Sequence, residues 1–141
     1  MASANKFQQF VEDAMEKVHN LGADTLKIML TNTAPVATNS IKANLTEITA
    51  ANGYTAGGTA ATISASAQTT GTYKLTLADV VFTAAGGTIG PFRYTTLYND
   101  TPTSPADPLI MWWDYGSAVT LNDGETFTWD ADAINGVMTV A

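Results

Sequence analysis

The residues of this chain that are best suited to chemistry are one histidine and a late group of carboxylates. His19 is the only histidine, and the chain has no cysteine. A serine hydrolase needs a nucleophile and an orienting acid close to its histidine, and no serine here stands in a nucleophile-elbow sequence. His19 falls instead in the last turn of a predicted helix, where the helix dipole favours a cation. We therefore expect His19 to be a surface residue near a helix cap.

Five acidic residues cluster late in the chain, at Asp114, Asp123, Glu125, Asp130 and Asp132. A glycosidase needs two carboxylates that face each other across a sugar-sized cleft. Asp123 belongs to a predicted turn, however, and Asp130 and Asp132 follow a predicted strand, where Asp commonly makes local hydrogen bonds. We therefore favour turn-forming roles for these carboxylates.

Two segments superficially resemble ligand-binding loops. DADAING (130–136) has the oxygen donors of a calcium loop, but its glycine is one position late and no glutamate follows to close the site. AGGTIGP (85–91) is rich in glycine but lacks the lysine of a phosphate loop, and a strand follows where that motif needs a helix. The sequence predicts neither an enzyme nor a cofactor or metal site.

Composition limits the classes of partner. Thirteen acidic residues against six basic ones give a net charge of −7, and the basic residues are scattered singly. Binding to nucleic acid needs clustered positive charge, so we expect no nucleic-acid partner. No apolar run approaches the roughly 18 residues of a membrane span and no signal peptide is visible, so we expect no membrane partner. The length of 141 residues predicts one domain, 1–141.

One helix is predicted, over residues 5–20. Apolar side chains recur at helical spacing from Phe7 to Val18, with Glu12 and Asp13 on the opposite side. Asn5 is suited to cap the start, and Asn20-Leu21-Gly22 to end the helix. The helix packs on the rest of the fold, or its first ten residues form an arm that reaches a neighbouring subunit.

The remainder of the chain predicts a β-sandwich. A long loop is expected at 32–58, held down by Leu45, Ile48 and Tyr54. Short alternating segments bounded by turn residues predict about eight strands, and Asn122-Asp123-Gly124 is a strong tight-turn signal. The predicted strands are Asp24–Thr31, Thr59–Ala67, Tyr73–Ala84, Gly90–Asn99, Leu109–Tyr115, Ala118–Leu121, Glu125–Trp129 and Gly136–Val140. We expect a mainly β, jelly-roll-like sandwich with one N-terminal helix.

The adjacent Trp112 and Trp113 lie on a predicted strand, where neighbouring side chains point to opposite faces. One ring can fill the core while the other lies on the second face. An outer tryptophan can be structurally covered, can anchor a protein interface, or can form a platform for a sugar. The sequence leaves these three roles open.

The order of segments across the chain resembles a family of known proteins. NKFQQFVEDAMEKVHNLGADTLKIMLTNTAP, NGYTAGG, TYKLTLADVVFTAAGGTIGPFRYTTLYND, PLIMWWDYGSAVTLNDGETFTW and NGVMTVA follow one another. Together they resemble the capsid decoration, or cement, proteins of tailed bacteriophages. The resemblance covers essentially the whole chain and brings no catalytic signature. It implies a β-rich, often jelly-roll protein that binds the outer capsid surface between capsomers as a dimer or trimer.

The resemblance implies a non-enzymatic virion protein, made in the host cytoplasm, whose partners are the major capsid protein and itself, as a homodimer or homotrimer. Under this hypothesis the N-terminal segment, the loop near residues 32–40 and the paired tryptophans supply the contacts. The expected contact residues are Ala2, Asn5, Phe7, Phe10, Pro35, Val36, Trp112 and Trp113. The alternatives are a phage tail structural protein and a carbohydrate-binding jelly-roll module, in which the tryptophans, Tyr115 and a nearby aspartate bind sugar.

Overall fold

The computed structural model describes residues 3–141 apart from the Ser3 side chain, so the predicted contact residue Ala2 lies outside the described residues. The protein is mainly β with one α-helix, as the sequence predicts. The elements are β1 Ser3–Lys6, α1 Gln9–Met15, β2 Leu26–Thr31, a 3-10 turn Lys42–Asn44, β3 Thr59–Ala61, β4 Ile63–Thr69, β5 Thr72–Leu77, β6 Val80–Thr83, β7 Ile89–Asn99, β8 Leu109–Leu121, β9 Thr126–Trp129 and β10 Met138–Val140.

The helix is shorter than the prediction of 5–20 at both ends. Residues 3–6 form an edge strand that pairs antiparallel with β8, with Asn5 opposite Trp112. At the other end Lys17 adopts a left-handed φ of 69°, and Val18 N–H donates to the Asp13 carbonyl. This is the geometry of a Schellman cap, which usually places glycine at the left-handed position. Here the left-handed residue is Lys17, and its conformation ends the helix several residues before Asn20.

The strands form two packed layers. One layer is a five-stranded sheet in the order β1-β8-β7-β2-β3, and the other comprises a three-stranded sheet, β10-β5-β4, and a pair, β6-β9. All the strand pairs are antiparallel. The main core lies between the layers and includes Ile28, Leu97 and Ile110 from the large sheet, with Leu75, Leu77 and Phe82 opposite.

The described residues contain ten strands where about eight were predicted. The predicted strand 59–67 divides into β3 and β4, and 73–84 divides into β5 and β6; in each case the two parts join different sheets. Conversely, β8 runs unbroken through Gly116, whose φ of 101° makes a local irregularity instead of the predicted turn. A jelly roll has eight strands in two sheets, whereas this chain places ten in three, so the jelly-roll arrangement stays a prediction.

The outer face of the five-stranded sheet carries a second, smaller core. Phe7, Met29, Tyr98 and Leu109 are buried there, and Leu45 from the long loop packs against them. Phe7 also stacks on Trp112, with 4.5 Å between ring centroids. The large sheet is therefore covered on both faces, by the other layer on one side and by the N-terminal segment and loop 32–58 on the other.

Glu47 fastens the long loop to the sheet. Its carboxylate accepts hydrogen bonds from the Tyr54 hydroxyl at 2.7 Å and from Gly57 N–H at 2.5 Å. Tyr54 O–H in turn accepts a hydrogen bond from Leu30 N–H, and burial raises the pKa of the Tyr54 hydroxyl far above its usual value. Leu45, Ile48 and Tyr54 all pack against the two cores, so the prediction that they hold the loop down is confirmed.

Candidate functional site

The predicted N-terminal and loop contact residues divide into buried and accessible ones. Phe7, Phe10 and Pro35 are buried within the chain, so these three side chains are not exposed for contact with a partner. Asn5 is half-buried on the edge strand β1. Val36 remains exposed on the loop, at 56% of its surface. Residues 3–10 are folded against the sheet, since Phe7 N–H donates to the Ile110 carbonyl and Gln8 N–H to the Ala37 carbonyl.

Trp112 and Trp113 lie on opposite faces of β8, as their adjacency predicts. Trp112 packs on Phe7 at the outer face, and Trp113 packs edge-to-face on Trp129 at 5.1 Å between ring centroids. Both rings are partly accessible. The two tryptophans therefore cannot form one continuous platform, which removes the geometry that a sugar site on the adjacent pair requires.

An exposed apolar groove lies between the N-terminal helix α1 and strands β8 and β10. Its volume is about 330 Å³, and its walls include Phe10, Val11 and Met15 of α1, Ile110 of β8, and Met138 and Val140 of β10. Met15 is 78% exposed, Val140 51% and Val11 49%. We call this feature the N-terminal groove. Large apolar side chains that stay accessible together are typical of an interaction surface.

A second cleft, of about 380 Å³, opens between β8 and β9. Its walls are the rings of Trp113, Tyr115, Phe127 and Trp129, together with Thr95, Thr128 and Asp130. We call it the aromatic cleft. Sequence reasoning identified the aromatic residues of β8 but did not connect them with β9, because that contact depends on how two sheets pack.

His19 is buried, which corrects the expectation of a surface residue. The side chain is 8% exposed and packs against Phe10 at 5.2 Å between ring centroids. Asn99 Nδ2 approaches His19 Nδ1 at 3.1 Å and also donates to Asp24 at 2.7 Å. With the amide as donor, His19 Nδ1 is the acceptor and the ring is neutral. The helix ends at Met15, so the chain turns after it and places the His19 ring against Phe10 of the helix.

The cleft beside His19 has a volume of about 1020 Å³ and also contains Asp24, Ser66 and Tyr73. Ser66 hydrogen-bonds to the Tyr73 hydroxyl at 2.8 Å, whereas His19 Nε2 and Asp13 Oδ2 are buried without hydrogen-bond partners. Activation of a serine needs a hydrogen bond to its base. The described side chains do not make that contact, and we assign no catalytic role to this cleft.

The buried His19 predicts a pH dependence of stability. Burial lowers the pKa of His19 below 6.5, and this outweighs Asp13 and Asp24, which raise it. The unfolded chain therefore binds a proton more readily, so stability is complete above about pH 7.5 and falls as the pH drops through 6.5. We expect urea unfolding to show lower stability at pH 5.5 than at pH 7.5, and His19→Gln to flatten this difference. A wild-type stability that is equal at both pH values contradicts a neutral buried His19.

Three of the late carboxylates bind groups of this chain. Arg93 holds the pKa of Asp114 below its usual value through hydrogen bonds of 2.8 and 3.0 Å. Asp132 accepts hydrogen bonds from the N–H groups of Ile134 and Asn135, and Asp123 from that of Gly86. The prediction of a turn-forming role with local hydrogen bonds is therefore confirmed for Asp132, whereas Asp123 lies in the turn but bonds to Gly86, which is 37 residues away in the sequence. Within residues 3–141, no group of three or more His, Cys, Asp or Glu side chains is placed to hold a metal ion.

Comparisons of the chain with protein-family models, curated protein sequences and solved structures found no match. In the part of the chain that the structure describes, no helix is long and apolar enough to cross a membrane.

Proposed function

We propose that this chain is a non-enzymatic structural protein of a tailed-phage particle, which binds the outer surface of the icosahedral capsid between capsomers and stabilises it. The resemblance described above supports the phage assignment. The observation in the structure that favours a binding role is the N-terminal groove, an exposed apolar surface beside the edges of the five-stranded and the three-stranded sheets. The proposal includes a jelly-roll-like body and a homodimer or homotrimer on the shell.

The groove has the properties of a protein-binding surface. β1 and β10, which border it, are the terminal strands of their sheets, and edge strands offer backbone groups to an added strand. The accessible side chains of Val11, Met15 and Val140 offer apolar area for burial. A capsid protein that lays an extended segment along this groove would use both features.

The rest of the molecule has the rigidity expected of a subunit that bridges capsomers. The five-stranded sheet is covered on both faces, and the loop 32–58 is held to it by the buried hydrogen bond from Leu30 N–H to the Tyr54 hydroxyl. A subunit that bridges capsomers must transmit force without unfolding locally, and buried contacts on both faces resist such opening. The net charge of −7 also keeps the free protein apart from packaged DNA.

A matched pair of variants tests the groove as the contact surface. Val11 in the groove and Val81 on β6 are exposed to a similar degree, 49% and 53%. Val11→Glu should weaken binding to capsids that lack this protein by about tenfold or more, because an apolar contact is replaced by a charge that must lose its water. Val81→Glu should leave binding unchanged. Co-sedimentation with purified capsids measures both.

The control separates the groove from a general charge effect. If both variants bind like the wild type, the groove is not the contact surface. If the wild-type protein fails to bind capsids and instead forms rings or tubes alone, the capsid proposal is wrong and the tail alternative takes its place.

A further inference from the structure

The aromatic cleft has a geometry that the proposed capsid role does not require. Trp113 meets Trp129 at an interplanar angle of 72°, and Tyr115 meets Phe127 at 69° with 5.6 Å between centroids. In an edge-to-face pair, the edge of one ring points at the face of the other ring. Both faces of the first ring therefore stay free of contact with the second. The four rings therefore enclose a concave space with walls at steep angles to one another, not a flat platform.

Asp130 carries the charge of the cleft. The other polar side-chain groups of its lining are the hydroxyls of Thr95, Thr128 and Tyr115 and the indole N–H groups of the tryptophans, and the lining contains no lysine, arginine or histidine. None of the ion pairs between described residues involves Asp130. The carboxylate at the rim is therefore not neutralised by a neighbouring cation, and the cleft sits in a protein of net charge −7.

We propose that the aromatic cleft binds a small quaternary ammonium group, of the kind carried by choline. The negative faces of aromatic rings attract such a cation, and several rings set at angles form the cage that recognises it. Asp130 adds a formal negative charge at the opening. The volume of about 380 Å³ lies within the range of roughly 300–1,000 Å³ that is usual for small-molecule sites.

The lining favours this cation over a sugar. A sugar ring brings several hydroxyl groups, and each one that is buried without a partner weakens binding. Apart from the Tyr115 hydroxyl and the indole N–H groups of its own rings, the cleft offers only two threonine hydroxyls and one carboxylate to satisfy them. A trimethylammonium group has no hydrogen bonds to satisfy, so rings and one carboxylate are sufficient for it.

The proposal is independent of the capsid role, because the aromatic cleft and the N-terminal groove share no lining residue. Nuclear magnetic resonance provides a direct test, since the chain has three tryptophans and hence three indole N–H signals. Titration with choline should shift the signals of Trp113 and Trp129 in a saturable manner. The Trp112 signal, which arises from the opposite face of β8, serves as an internal control.

An uncharged analogue isolates the effect of the charge. We expect 3,3-dimethylbutan-1-ol, which has the shape of choline without its charge, to bind about tenfold or more weakly. Asp130→Asn should weaken choline binding several-fold, while Glu12→Gln, an equal change of charge on helix α1, which contributes no residue to the cleft, should not. Tyr115→Ala should also weaken binding, and because Tyr115 is 49% exposed the fold should survive this change.

The remaining probes identify the source of the cation and the outcomes that overturn the proposal. If a trimethyl-lysine peptide binds with the same affinity as choline and phosphocholine binds more weakly, the cation is carried by a protein, since Asp130 repels phosphate. Stronger binding of phosphocholine indicates a lipid or cell-wall head group. Equal binding of the uncharged analogue, saturable binding of glucose or galactose in place of choline, or no shift with choline overturns the proposal.

Discussion

Replacement of Gly58 by alanine is expected to destabilise the protein by at least about 4 kcal/mol, a loss that few single substitutions cause. Gly58 precedes β3 and has a φ of +81°, a conformation that L side chains rarely adopt. A Cβ atom there would overlap the carbonyl oxygen of Ile28 on β2 and would lie 2.9 Å from Met29 Cα. These are backbone atoms of a central strand, so relief requires β3 to separate from β2.

Gly71 provides the matched control for this substitution. Its φ of +83° is almost the same, but nothing lies within 4 Å of the position where a Cβ would stand. Gly71→Ala should therefore cost only the conformational term, about 1–2 kcal/mol. Urea unfolding of both variants measures the difference. Equal losses in the two variants would mean that β3 does not lie against Ile28 as described.

The second large effect is expected at Phe7, where alanine should cost about 3 to 4 kcal/mol of unfolding free energy. Phe7 is fully buried, stacks on Trp112 and closes the core on the outer face of the sheet. Its removal leaves a cavity between β1, β8 and the long loop. This substitution also separates two views of the N-terminus, because an arm that detaches from the body would not need a buried anchor.

Met15→Ala is the control from the same segment. Met15 is 78% exposed, so we expect its removal to change stability by no more than about 0.5 kcal/mol. Thermal and urea unfolding report both variants. A loss below about 1 kcal/mol for Phe7→Ala would favour a free N-terminal arm over the folded edge strand.

The sequence predicted the parts of the fold that depend on local patterning. In β2 the alternation of Leu26, Ile28 and Leu30 with Met29 correctly predicted a strand with two distinct faces, because side-chain direction in a strand follows a period of two. The tight turn at 122–124 is also present, with Glu125 N–H donating to the Asn122 carbonyl.

The errors arise where tertiary contacts override local preference. Residues 3–6 carry no strand signal of their own and become a strand because β8 pairs with β7 along one edge only and offers its other edge at residues 111–114. The residue pattern does not reveal the break between β3 and β4 at Thr62, because the alternation of side chains continues where the chain passes from one sheet to another. The left-handed Lys17 likewise has no signature in the sequence.

The candidate sites were less predictable than the fold. Sequence reasoning named Trp112 and Trp113 as neighbours on one strand, yet each belongs to a different core. The aromatic cleft joins residues of β8 with residues of β9, which belong to different sheets. The N-terminal groove joins α1 with β10 at the opposite end of the chain. Pairings of this kind come from the packing of layers, which a single sequence does not record.

Electron cryo-microscopy of capsids assembled without this chain, imaged before and after the purified protein is added, tests directly whether the protein binds the shell. We expect ordered additional density on the outer surface between capsomers, with the N-terminal groove facing the shell. The same capsids mixed with the Val11→Glu variant should show much lower occupancy. Shells that stay bare with the wild-type protein at saturating concentration would contradict the proposed function.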